Sequence, residues 1–204
     1  MKRFLLSLLL LSAVSEALNA QMRMRDVFAS APDSIFPLLT RNNRLDCIDF
    51  AENNMPARVK NRFDAVCELK KLTDSYLLIQ LSERSTAEMR LLSDSLFCLI
   101  NTYNGPAPDS QIRFFNTAWQ PVALSFPLPA VGSFWLSVPD SLRQEKEFAV
   151  RSLSDLTLIH ISVSPDEPVF TCTLQTSELS EKEKELAQQY VQPVRLKWNG
   201  RAWE

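Results

Sequence analysis

The chain has 204 residues, 46% hydrophobic and 23% charged, which fits one globular domain with a sizeable core and excludes a wholly disordered protein. A formal net charge of −2 supplies no basic footprint for nucleic acid. One histidine and three glycines exclude most metal centres, histidine-based triads and glycine-rich phosphate loops.

The first element in chain order is an address. Lys2 and Arg3 precede an apolar run from Phe4 to Leu11 that only Ser7 interrupts, and Ser15, Ala17 and Ala20 then offer small residues for cleavage. This is the order of a secretory signal peptide, assigned here to residues 1–20, and the run is shorter than the ~20 residues that span a bilayer. No cysteine directly follows the cleavage positions, which argues against a lipid anchor. The expected mature chain, 21–204, carries 20 basic and 23 acidic residues, a net charge of −3. It is read as soluble and exported, to the periplasm first and the extracellular space second, with no transmembrane segment and no nucleic-acid partner.

The stretch 24–63 reads as broken helix. Pro32-Asp33-Ser34 predicts a helix start, with Asp33 as N-cap ahead of Ile35, Phe36, Leu38 and Leu39 and with Pro37 near the first turn. A second helix carries Leu45, Ile48 and Ala51 and stops before Met55-Pro56. From Cys67 the pattern turns to strands. Residues 76–81 form an apolar run, 86–92 its hairpin partner, 96–103 a third strand and 111–119 a fourth, with 104–110 a loop by its turn residues. Connections this short require antiparallel pairing.

Residues 121–139 hold four prolines and read as an irregular segment joining halves 21–120 and 138–204 of a single domain. Residues 140–153 predict an amphipathic helix with Leu142, Phe148, Ala149 and Leu153 inward. Strands at 156–163 and 169–175 follow, then a helix opened by a Ser180–Glu183 capping box. A strand at 194–198, an Asn199-Gly200 turn and a closing strand at 201–203 end the chain. Leu72-Thr73-Asp74-Ser75 and Leu153-Ser154-Asp155-Leu156, each ahead of a strand, turn and strand, suggest two related hairpins. The fold class is therefore α+β: a mostly antiparallel sheet of roughly seven to nine strands, two N-terminal helices, and two later helices packed on one face.

Cys47, Cys67, Cys98 and Cys172 stand 20, 31 and 74 residues apart, too far for a usual zinc-ligand pair. An exported chain permits disulfides among them, in three connectivities, but burial as small hydrophobes fits Cys98 and Cys172 inside strands. His160, between Ile159 and Ile161, faces away from the core as a strand residue, with no nucleophile motif to use it. Asp46, Asp49 and Glu52 recur every third residue without the glycine turn of a calcium loop, so they read as a solvated face. The charge run 178–185 reads the same way.

The rings of Phe114, Phe115, Trp119, Phe126, Phe134 and Trp135 read chiefly as core, with an aromatic groove for peptide or glycan as the alternative. Asp33-Ser34-Ile35, Asp94-Ser95-Leu96 and Asp140-Ser141-Leu142 match a short O-glycosylation triplet, though cap and turn chemistry produces the same pairs.

Pro32-Asp33-Ser34 through Leu38-Leu39-Thr40, Asn43-Arg44-Leu45-Asp46-Cys47-Ile48-Asp49-Phe50, Gly105-Pro106-Ala107-Pro108-Asp109-Ser110 and Lys197-Trp198-Asn199-Gly200-Arg201 together carry a resemblance. On them the chain resembles a domain-of-unknown-function family of exported Bacteroidetes-type proteins over nearly the whole mature sequence. The resemblance implies export and transfers no activity. No catalytic, cofactor-binding or metal residue is assigned from the sequence. The functional expectation is a non-enzymatic exported binding or envelope-associated module with a protein, peptide or glycan partner. Two alternatives stay open: a carboxylate-based hydrolase of an envelope or glycan substrate, and an inhibitor or subunit of a larger complex.

Overall fold

The computed structural model describes residues 22–204, so the signal peptide expected at 1–20 lies outside the described residues. Among the described residues, nine strands form two antiparallel sheets, six and three strands wide, accompanied by four α-helices. The larger sheet is a meander in chain order: β1 (Arg58–Lys60), β2 (Val66–Leu72), β3 (Tyr76–Ser82), β4 (Ser85–Leu91), β5 (Leu96–Asn104) and β6 (Pro108–Asn116). Its hairpins are tight. Asn104 pairs with Pro108, so the loop expected at 104–110 shrinks to Gly105-Pro106-Ala107. Pro108 is accommodated because it opens the terminal strand of the sheet, where a missing N–H costs no ladder bond.

Alternation sends two sets of side chains to opposite faces. Leu77, Ile79, Met89, Phe97, Leu99 and Phe115 meet the first two helices, α1 (Met24–Ala29) and α2 (Arg41–Glu52). Tyr76, Cys98, Ile100 and Phe114 meet the second sheet. That sheet orders β7 (Ile159–Val163), β8 (Val169–Leu174) and β9 (Val194–Lys197) side by side. Because both faces of the large sheet are covered, the middle of β5 is buried residue after residue, from Phe97 to Thr102. Trp119 ties the helical side shut: its indole N–H donates to the Val27 carbonyl at 3.0 Å, and its ring lies 4.8 Å from Phe97.

The helix expected at 33–39 is replaced by turns, and the first helix lies upstream at Met24–Ala29. With Asp33 as N-cap, Pro37 would fall at the fourth helical position, where the N–H is first needed for an intrahelical bond. A buried cation holds the turn instead. Arg44 of α2 is 1% exposed, and its guanidinium donates to the carbonyls of Ala31 and of Leu39, the latter at 2.8 Å. Asp33 pairs with Arg44 at 3.1 Å and Arg62 at 2.8 Å, so its carboxylate neutralises a buried charge rather than capping a helix. α2 forms where expected, opened by a Thr40–Asn43 capping box.

Residues 121–139 remain largely irregular, with one 3₁₀ turn at Val131–Phe134, and lie between the two sheets in sequence. Phe126 packs 5.6 Å from Phe170 and 5.0 Å from Trp203, which places the segment over the core of the second sheet. The third helix, α3 (Arg143–Asp155), buries Ala149 and Leu153 as expected, whereas Phe148 is 63% exposed rather than inward. The fourth, α4 (Glu181–Tyr190), starts at the Ser180–Glu183 capping box and buries Ala187 against the same side of the molecule. The strand expected from 156 begins at Ile159, and Leu156 is 55% exposed. Each half of the echo, 72–75 and 153–156, is followed by an antiparallel hairpin, β3–β4 and β7–β8, but the lead-ins differ. The first joins two strands, while the second spans the end of α3.

Candidate functional site

Tyr76, Glu88, Arg90 and Cys98, whose pKa values burial shifts, gather where the two sheets meet. β4 presents Glu88 and Arg90 to the second sheet, because Ala87 and Met89, which alternate with them, point to the helical side. β7 is an edge strand, and its outward N–H groups would be orphaned in an apolar interface. Side chains of the large sheet take all three. Asp109 accepts from Ile159 at 3.1 Å, Ser110 from Ile161 at 2.9 Å and Glu88 from Val163 at 3.1 Å. Ser110 also shares a hydrogen bond of 2.8 Å with Thr102 across the β5–β6 pair.

The hydroxyl of Tyr76 donates to the same Glu88 oxygen at 3.2 Å, and the Arg90 guanidinium donates to the carbonyls of Pro165 and Asp166 in the β7–β8 turn. Burial dominates the electrostatics here. It raises the Glu88 carboxyl above its ordinary value against the lowering effect of the two hydrogen bonds, and it raises Tyr76 further with the help of Glu88. It pushes the Cys98 thiol up to about 12. None of these groups lines either open groove described next. The cluster works as a polar joint between sheets.

Two of the open concave surfaces among the described residues carry enough polar and apolar lining to hold a partner. The first, about 730 Å³, lies between the end of α2, the start of α1 and the outer half of β2. β1 covers β2 in register only over Val66–Glu68, and one further bond follows, from Leu69 N–H to the Ala57 carbonyl at 2.9 Å. Beyond it, a bulge between Leu69 and Lys71 shifts the pairing with β3, and Lys71 and Leu72 have a strand neighbour on that side alone. Arg23, Arg25, Lys70 and Lys71 rim this groove against the acids Glu52 and Asp74. The second, about 570 Å³, runs between α3 and α4, with Phe148, Leu142 and Leu186 set among Glu145, Glu183 and Glu185.

The residues singled out in the sequence do not converge. His160 is half-buried on β7 between buried Ile159 and Ile161, as expected, and burial lowers its pKa. Asp46, Asp49 and Glu52 are exposed along α2, and Glu52 pairs with Arg25 across the first groove. All four cysteines are free and buried. Burial raises the thiols, Cys47 to about 12 and Cys172 to about 11. Phe114, Phe115, Trp119, Phe134 and Trp135 are core residues and Phe126 is half-buried, so these rings are spent on packing. Ser34, Ser95 and Ser141 are exposed outside the strands. Among the described residues, no three His, Cys, Asp or Glu side chains gather where they could hold a metal ion. No described helix is long and apolar enough to cross a membrane.

Sequence reasoning missed β1, β2 and with them the first groove. Cys67 and Leu69 alternate inward, but the bulge then delays the next inward side chain to Leu72 and breaks the period. The Lys70-Lys71 pair at that slip was the available signal.

Two antiparallel sheets with helices on the outer face of the larger one and a polar joint between them define the class of this α+β domain. The same fold occurs in a domain of an uncharacterized protein from Porphyromonas gingivalis W83, with a TM-score of 0.72 and 22% identity over 89% of this chain and 96% of that one. No curated protein matches the sequence. The chain belongs to the protein family of unknown function DUF3256, whose pattern it matches over residues 15–203.

Proposed function

We propose that the protein is an exported binding module of the periplasm, non-enzymatic, that engages a partner through an open groove on a rigid sheet. The observation that carries this reading is the first groove. Four cations, Arg23 and Arg25 at the start of α1 and Lys70 and Lys71 on β2, rim one concavity of about 730 Å³ against two acids, on a chain whose formal charge is −2. The buried carboxyl with a raised pKa, Glu88, meanwhile accepts from Val163 and Tyr76 and serves the joint. Export rests on the order of residues 1–20.

The test is fractionation of native cells followed by affinity capture. The expected result is a chain shortened by its leader in the osmotic-shock fraction, holding a partner saturably. Recovery of the full-length chain in the cytosol overturns the export reading. Turnover of an envelope polysaccharide that disappears in Glu88→Gln replaces the binding module with the carboxylate hydrolase.

A further inference from the structure

The occupant of the first groove follows from the groove's backbone as well as its charge. A strand with a neighbour on one side only presents unpaired N–H and C=O groups on the other, which is a template for a further strand. β1 begins beside β2 only at Arg58, because the chain arrives from α2 through Met55 and Pro56, whose ring lacks a donor for strand pairing. Between Ala57, whose carbonyl takes Leu69 N–H, and Met24, whose N–H donates to the Asp74 carbonyl at 2.7 Å, the outer side of β2 has no strand neighbour over Lys70–Leu72, a span of roughly 10 Å at about 3.3 Å per residue.

Lysines and a bulge at an edge can serve simply as guards against unwanted pairing. A guard needs nothing from the opposite wall. Here Arg23 and Arg25 of the α1 segment face the same space, and Ala51, Met55 and Ala57 add apolar surface to it. The pairs Arg25–Glu52, Arg23–Asp26 at 3.5 Å and Lys70–Glu68 at 2.6 Å hold parts of this rim, and Lys71 has no acidic partner among the described residues.

We propose that the Lys70–Leu72 edge and its basic rim form a strand-addition site for an extended acidic segment of a partner protein. Main-chain bonds to β2 fix the segment's direction. Alternate acidic side chains reach Lys70 or Lys71 on one side and Arg23 or Arg25 on the other, while the intervening residues lie on Leu69 and Leu72. The proposal rests on the binding-module reading and names the partner class for that groove.

The experiment uses the mature chain and a fluorescent nine-residue peptide alternating glutamate with valine or threonine. Two control peptides accompany it, one with lysine for glutamate and one with alternate backbone amides N-methylated. The acidic peptide is expected to bind, with amide-exchange protection confined to Lys70–Leu72 and their neighbours. Affinity is expected to fall at least tenfold on N-methylation, on replacing glutamate by lysine, and in the Lys70→Glu, Lys71→Glu double variant. That variant alters two exposed side chains, and its thermal midpoint verifies that it is folded. Equal affinity of the N-methylated peptide overturns strand addition in favour of charge attraction alone, and absence of binding by the acidic peptide overturns the site. If the folded double variant captures an envelope protein as well as the wild-type chain does, the site fails while the binding-module reading stands. If neither captures anything saturably and the acidic peptide does not bind, both fail.

Discussion

β7 and β2 are both strands with one side uncovered by a full neighbour, and the molecule treats them in opposite ways. At β7, three successive outward N–H groups are taken by Asp109, Ser110 and Glu88 of the other sheet. At β2, the outer side beyond Leu69 opens into a solvent-filled groove rimmed by cations. An edge inside an apolar interface must have its donors satisfied by the protein, whereas an edge facing water can leave them to solvent or to a visitor. The polar side chains of β4 and β6 thus read as joinery, and those around β2 as a receptive surface.

The comparison breaks most severely at Glu88. Glu88→Leu leaves the Val163 N–H and the Tyr76 hydroxyl buried without their acceptor, and a loss of about 2–6 kcal/mol is expected in urea unfolding, at roughly 1–3 per orphaned group. A loss under about 1 kcal/mol would mean that the joint does not depend on this carboxyl.

The pH dependence of the same position is next. Burial raises the Glu88 carboxyl in the folded state, so between its unfolded value, about 4.3, and its higher folded value the native chain holds more protons than the unfolded one. Stability from this group is therefore fully present at low pH and falls as pH rises through that window, by at most about 1.4 kcal/mol per pH unit. Relative to wild type, Glu88→Gln is expected to lack that fall. Parallel stability–pH curves for the two chains would contradict it.

Ser110→Ala removes the acceptor for Ile161 but spares the flanking bonds from Ile159 and Val163, and a smaller loss of about 1 kcal/mol is expected by the same measurement. The smallest effect is expected at the other edge. Lys71→Glu should change stability by no more than about 0.5 kcal/mol, because the side chain is exposed and makes no ion pair among the described residues. In amide exchange of the wild-type chain, Lys70 and Lys71 should exchange faster than Ile161 and Val163. The reverse order would erase the contrast between the two edges.

Much of this architecture could be read from periodicity, and its gaps have local causes. β3 and β5 announce themselves by apolar runs between polar turns, and β4 by the alternation of Ala87, Met89 and Leu91 with polar residues. The Ser180–Glu183 box is a contact between near neighbours, and such contacts survive in sequence. Asp33 misled because its real partners, Arg44 and Arg62, lie 11 and 29 residues away. β6 was read as starting late, at residue 111, since Pro108, Asp109 and Ser110 look like turn residues. Two of them are bonded across the sheet joint to residues about 50 positions on. Nothing local in Glu88 or Arg90 reveals that the second sheet will lie over them. The groove was missed for the complementary reason that a single bulge broke its strand's period.

The sealed edge also imposes an order of assembly. Each strand of the six-stranded meander pairs with the one made just before it, so that sheet can grow hairpin by hairpin from its own chain. The three-strand unit starting at Ile159 cannot be completed in isolation, because the acceptors for its outward amides reside on β4 and β6. The earlier part of the polypeptide acts as a template for the later part. A fragment holding only the C-terminal strands would emerge with its donors bare and ready to pair with the wrong neighbour.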